Sequence, residues 1–288
     1  MKSRTIKSIV YANTFDMGSM EVRQAFPSGK ADAPNPFLLL HHADVLVPKN
    51  IPVTKAGVGP HPHRGFSPVT IIYKGGVHHR DSRGNNNVVY QGGTQWMNAG
   101  MGIIHSERPP ADIHEIGGRQ EIIQLWVNTP AAHKLDQPAY YPLTAEETPE
   151  VTSTDGLVTI KIHSGELDGI KSVIPTFSPV NTFSVYMKSN GQHRLHLPAE
   201  HTAFAYVLKG SVQIGADLIE ANYVAILDND GAFIDLHANE ETVLLIGSGA
   251  PIEEPIASHG PFVMNTQTEI MEAFKDYQQG KMGILIED

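Results

Sequence analysis

The sequence contains no cysteine. That absence excludes disulfides, thiolate nucleophiles and cysteine-ligated zinc, and it is compatible with a reducing compartment. Positive charge is also scarce: 21 Lys and Arg stand against 31 Asp and Glu, a net charge of −10, and no basic run is present. An acidic chain of this kind is not expected to bind nucleic acid through phosphates. No stretch approaches the roughly 18 apolar residues of a membrane span, and the first residues lack the apolar core of a secretory signal. The expectation is a soluble, cytoplasmic protein that does not enter a membrane. Long helical periodicity is missing as well until the last few turns of chain.

What is present reads as β structure. At 288 residues and 41% hydrophobic content, the chain can bury one large core or two ordinary ones. Short β-branched runs such as Val69-Thr70-Ile71-Ile72-Tyr73 and Ile122-Ile123-Gln124-Leu125-Trp126-Val127 recur about every ten residues between glycine turns. That rhythm predicts antiparallel sandwiches or barrels. A proline-punctuated link over 129–150 suggests one barrel over 1–140 and a second over 141–288. Tyr73-Lys74-Gly75-Gly76-Val77 matches Leu208-Lys209-Gly210-Ser211-Val212, which suggests two copies of one unit. Near the end, Thr266-Gln267-Thr268-Glu269 is a capping box, followed by Ile270, Met271, Phe274 and Tyr277 at helical spacing. A short C-terminal helix packed on a barrel is expected.

The chemistry concentrates in two pairs, His61-Pro62-His63 and His105-Ser106-Glu107. On a strand, residues i and i+2 project to one face. Two such strands brought together offer three imidazoles and a carboxylate, a set that suits a first-row divalent metal better than Mg²⁺ or Ca²⁺. One such pair alone is weak evidence in a chain with 15 histidines. Two pairs flanking a strand–turn–strand pattern are much stronger. His41 and His42 are adjacent, so they face opposite ways on a strand and do not chelate together. The match between copies carries His61 and His63 onto His196 and Pro198, so the second barrel lacks the pair and reads as structural.

The run His61-Pro62-His63-Arg64-Gly65-Phe66, together with Gln95-Trp96-Met97-Asn98-Ala99-Gly100 and Gly102-Ile103-Ile104-His105-Ser106-Glu107, resembles the pirin family of the cupin superfamily. His259-Gly260-Pro261-Phe262-Val263-Met264-Asn265-Thr266 is similar to a further pirin signature. The resemblance implies an all-β bicupin: two jelly-roll-like antiparallel barrels, the first holding a single non-haem metal. Pirin ligands carry over onto His61, His63, His105 and Glu107, with Fe(II) as the implied metal and Mn, Co, Ni, Cu or Zn as substitutes. Two positions depart from pattern. Gln95 stands where the general cupin motif places a histidine, and Ser67-Pro68 replaces the Glu-Thr usual in pirins. A proline within a strand loses one ladder donor, so the local edge is expected to change.

By resemblance, the implied activity is that of a quercetin 2,3-dioxygenase: O₂ addition to a flavonol-like enol, with Glu107 as ligand and base. Phe66, Gln95, Met97 and Ile103 are the candidate substrate contacts, with Trp96 and Ile104 as further apolar walls. The alternative is a non-enzymatic, iron-dependent redox sensor that binds a protein partner.

Overall fold

The computed structural model describes residues 2–18, 20–29 and 32–287. The protein is all-β apart from two α-helices and two short 3-10 turns among these residues, and its chain divides into two compact units. One unit comprises Met1–Asn13, Arg23–Leu39 and Thr148–Pro251. The other comprises Thr14–Val22, Leu40–Glu147 and Ile252–Asp288, and it contains both histidine pairs. The long change-over at Glu147 falls inside the proline-punctuated link. The chain ends are distributed differently from a single cut at residue 140. The first long strand, Ile6–Tyr11, pairs antiparallel with Tyr223–Leu227, and residues 252–287 fold with the histidine-bearing unit. An open sheet edge exposes unpaired backbone groups, and the N-terminal strand supplies the missing partner.

The sheets repeat position by position. One seven-stranded sheet runs Ala139–Leu143, Thr94–Asn98, Phe66–Lys74, Arg119–Asn128, Phe37–Leu46, Glu21–Phe26, Asn13–Asp16. The other runs Ile6–Tyr11, Tyr223–Leu227, Thr202–Lys209, Thr242–Gly249, Val180–Met187, Val158–Ser164, Glu150–Thr152. Each has a four-stranded companion: Val58–His63, Ile103–Arg108, Gly76–Asp81, Asn86–Tyr90 in one unit, and Gln192–His196, Phe233–His237, Ser211–Ile214, Asp217–Glu220 in the other. The matching sequence turns occupy matching corners. Gly75 and Gly210 both hold left-handed φ, 71° and 74°. A Cβ there would lie 2.6 Å from the Arg119 carbonyl and 2.5 Å from that of Glu241, so both corners require glycine.

What fills the two units separates them. In the unit built mainly from Thr148–Pro251, Val185, Val207 and Ile246 of the large sheet join Leu195, Ile214 and Leu236 of the small one in a continuous apolar core. The buried His163 there is satisfied locally, its Nε2 lying 2.7 Å from Ser184 Oγ. In the other unit, the strands equivalent to those of Leu195 and Leu236 carry the histidines.

Pro68 does not sit at an edge. Its strand lies between Thr94–Asn98 and Arg119–Asn128. The ladder to Arg119–Asn128 runs through Pro68↔Trp126, whereas the ladder to Thr94–Asn98 begins only at Val69. The imino residue thus falls just outside the second ladder, where no donor is demanded. The C-terminal helix, Gln267–Gln278, carries the full capping box between Thr266 and Glu269. It buries Ile270 and Ala273 against Phe262, Met264 and Met282. Met271, expected on this stripe, is 64% exposed because it lies about 100° around the helix from Ile270. No helix among the described residues is long and apolar enough to cross a membrane.

Candidate metal centre

The strand Val58–His63 lies antiparallel to Ile103–Arg108, with His61 opposite His105 and His63 opposite Ile103. Period-two parity turns His61, His63 and His105 to one side. Their ring centroids are 4.4, 4.8 and 5.0 Å apart, and one nitrogen from each lies within 4.8 Å of the other two. This is the one such cluster of metal-binding side chains among the described residues. The register shifts between His105 and Glu107, which pairs with Val58. Gly57 makes room for that irregularity: its φ is 69°, and a Cβ would meet the Glu107 carbonyl at 2.5 Å.

The outer nitrogens of the rings are all engaged. His61 Nδ1 donates to the Gly59 carbonyl at 2.8 Å, and His63 Nδ1 donates to that of Pro261 at 3.3 Å. His105 Nδ1 lies 3.4 Å from His79 Nδ1. The inner nitrogens are then bare. His61 Nε2 and His63 Nε2 face one another at 3.1 Å, and His105 Nε2 is fully buried with no partner. Burial pushes the pKa of His63 and His105 well below the usual imidazole value, and the neighbouring histidines push the same way. Neutral imidazoles with converging lone pairs are the form in which histidine binds a divalent metal. A buried unpaired acceptor is costly, and a cation at this point satisfies it. The donor set therefore fits a divalent transition ion.

Glu107 stands on the same strand but is held by another sheet. Thr70 Oγ1 donates to Glu107 Oε1 at 2.5 Å and also lies 3.5 Å from Gln124 Oε1. Thr70 is the one aliphatic hydroxyl in the run Val69–Tyr73, a signal in the sequence that pointed inward. Gln124 and Trp126, two residues apart, form the half-exposed face of a strand that is otherwise mostly buried. Trp126 contacts His63 at 5.4 Å edge-on and Phe66 at 4.3 Å between ring centroids.

The expected substrate contacts divide. Phe66 is buried beside the histidines, 5.1 Å from the His63 ring. Met97 and Ile103 pack with Ala99 into a small core against Tyr140. Gln95 donates to the Val77 carbonyl at 2.9 Å, while its Oε1 is buried without a partner. Ile104 packs towards the C-terminal helix cluster. Trp126 and Thr70 were not anticipated, nor was Tyr140, whose ring stacks on His79 at 3.9 Å and 5°. His42 leaves the site for Glu121, 3.3 Å away, and His41 lies edge-on to Phe15.

Comparison with known proteins agrees with this geometry. The Pirin family model matches residues 19–127, and the model of the Pirin C-terminal cupin domain matches 182–283. The chain is similar to a Pseudomonas aeruginosa protein named "Putative quercetin 2,3-dioxygenase PA2418", 37% identical over 86% of each chain. It is 36% identical to human pirin over 79% of this chain and 78% of that one. A crystal structure of quercetin 2,3-dioxygenase from Acinetobacter baumannii superposes with a TM-score of 0.92 at 35% identity, covering 99% of this chain and 100% of the other. With both family models matched and the shared fold running end to end, this chain belongs to the pirin family.

Proposed function

We propose that the protein is a metal-dependent dioxygenase of flavonol-like enols, with His61, His63, His105 and Glu107 holding iron(II). The observation that carries this reading is the convergence of three Nε2 lone pairs, one of them buried and unpartnered. The dioxygenase names of the relatives support the same reading. When bound there, a divalent transition ion supplies Lewis-acid stabilisation of an ionised enol and a template for enol and O₂.

The chain's own residues do the rest. The Thr70 hydroxyl fixes Glu107 Oε1, so Oε2 is the atom left to accept the proton of the enol hydroxyl. Trp126, backed by the buried Phe66, supplies an aromatic wall beside His63 against which a planar polyphenol stacks. Gln124, half-exposed on the Trp126 face, lies where a polar substituent of the substrate would pass.

The test is oxygen consumption with quercetin by protein loaded anaerobically with Fe(II), beside Glu107→Gln. Stoichiometric O₂ uptake with loss of the flavonol absorbance, abolished by the substitution, is expected. An iron-loaded protein that turns over no flavonol overturns the substrate assignment.

A further inference from the structure

Next to the three histidines lies a fourth that the proposed chemistry does not use. His79 is 2% exposed, on the strand Gly76–Asp81, and its two nitrogens are both committed. Nε2 lies 3.0 Å from Asp81 Oδ2, and Nδ1 lies 3.4 Å from Nδ1 of His105. Tyr140 stacks flat on the ring and fixes its plane. We propose that Asp81 and His79 are positioning residues that set the tautomer of His105 and so present its Nε2 lone pair to the metal.

A count of protons carries the inference. Asp81 accepts on every side: Oδ1 from the backbone N–H groups of Arg83 and Asn85, at 2.9 and 3.0 Å, and Oδ2 from Asn85 Nδ2 at 2.7 Å as well as from His79. A carboxylate with three other donors around it can only accept from His79, so the imidazole proton of His79 sits on Nε2. Its Nδ1 is then bare and can only accept. The proton of His105 is drawn to Nδ1, and Nε2 is left as a lone pair aimed inward. The buried, unpartnered state of His105 Nε2 is the independent sign of this arrangement. His61 and His63 reach the same tautomer through single backbone carbonyls. His105 reaches it through a polarised chain ending in a buried negative charge, the carboxylate of Asp81.

Asp81→Asn tests the chain because the amide must place its NH₂ somewhere. Its oxygen is needed by two backbone N–H groups, so the NH₂ turns to His79 Nε2. His79 then carries its proton on Nδ1, facing the Nδ1–H of His105, and His105 is driven to the tautomer with a proton on Nε2.

This inference rests on the metal reading, and the measurement separates the two. Ni(II) affinity is measured by chelator competition, and the visible spectrum of the Co(II) form is recorded, for wild type, Asp81→Asn, His79→Phe and the double variant. Wild type that binds no metal would refute the metal reading itself. With wild type binding one ion, Asp81→Asn and His79→Phe should each weaken affinity 10–100-fold and shift the Co(II) bands. The double variant should bind no more weakly than His79→Phe alone, since the effect of Asp81 runs through His79. Wild-type affinity and spectrum in either single variant would overturn the proposal. So would an equal loss from Asp81→Asn in the His79→Phe background, which would mark Asp81 as a turn former only. Should Asp81→Asn fail to fold for want of its turn bonds, His79→Phe, which leaves Arg83 and Asn85 untouched and keeps the stack on Tyr140, decides alone.

Discussion

Nε2 of His61 and Nε2 of His63 face each other across 3.1 Å, while the other nitrogen of each ring is committed to a backbone carbonyl. Two bare acceptors at that separation repel, so the pair is poised for a shared cation. Addition of Fe(II), Co(II) or Ni(II) should therefore raise the melting temperature. At a thousandfold excess over the dissociation constant, the gain is about 4 kcal/mol. His63→Ala should fold and show no such shift; a shift of wild-type size in that variant would place the metal elsewhere.

Thr70→Val removes one hydroxyl and keeps the shape. The lost hydrogen bond goes to a carboxylate, a type worth about 1.5–3 kcal/mol. Turnover should fall at least about tenfold with metal content unchanged, and Thr70→Ser should restore most of it. Unchanged kinetics in Thr70→Val would mean that Glu107 does not need to be held.

Arg108 is clamped by Glu287 Oε2 at 2.6 Å and donates to the Ala56 carbonyl at 2.8 Å, with the two charged side chains only 10% and 8% exposed. Glu287→Ala leaves that cation buried and unpaired, at a cost of about 3 kcal/mol. The double change Arg108→Met with Glu287→Leu should recover most of the loss. Urea denaturation reads both. A neutral Glu287→Ala would show that this ion pair adds nothing to stability.

His163 carries a pH dependence away from the metal centre. Burial, reinforced by Lys161, lowers its pKa to about 3, while the unfolded chain titrates near 6.5. The unfolded state thus binds the proton first, and stability rises with pH in this window. The contribution is complete above pH 6.5 and is lost as pH falls towards 3, at about 1.4 kcal/mol per pH unit. His41, lowered to about 4 by burial, acts in the same direction. His163→Gln should flatten the slope of melting temperature between pH 6 and pH 4. An unaltered slope would mean that His163 titrates normally in the folded protein.

Much of the centre was legible because strand parity is a local property. His61 and His63 share a face by spacing alone and lie grouped with His105, while Glu107 is not among the grouped side chains; the resemblance between the Gly75 and Gly210 turns matches the repeated sheet order. The supporting residues were not legible, since each depends on register between strands distant in sequence. Thr70 meets Glu107 only because two sheets face each other, and Tyr140 reaches His79 only because Ala139–Leu143 pairs with Thr94–Asn98. Trp126 could have been singled out with Gln124 as a half-exposed pair, but sequence pattern does not tell an inner face from an outer one. The fate of the first strand was beyond reading as well. Nothing local marks Ile6–Tyr11 as the partner of a strand ending at Leu227.

That pairing also bears on how the chain can be made. Ile6 finds Leu227 only after more than two hundred further residues have been made, and the helix and hairpin of residues 252–287 join the histidine-bearing unit later still. The edge strand Ile6–Tyr11 therefore stays without its neighbour until Tyr223–Leu227 has been made, whereas every strand of the two sheets around the histidines lies between Asn13 and Leu143. Long-range closure of this kind is slow and leaves edges exposed to other chains. Metal loading during synthesis has the opposite character. The strands of His61, His63 and His105 are neighbours made well before residue 252, and an ion captured there would pin the histidine-bearing unit while residues 252–287 are still to come.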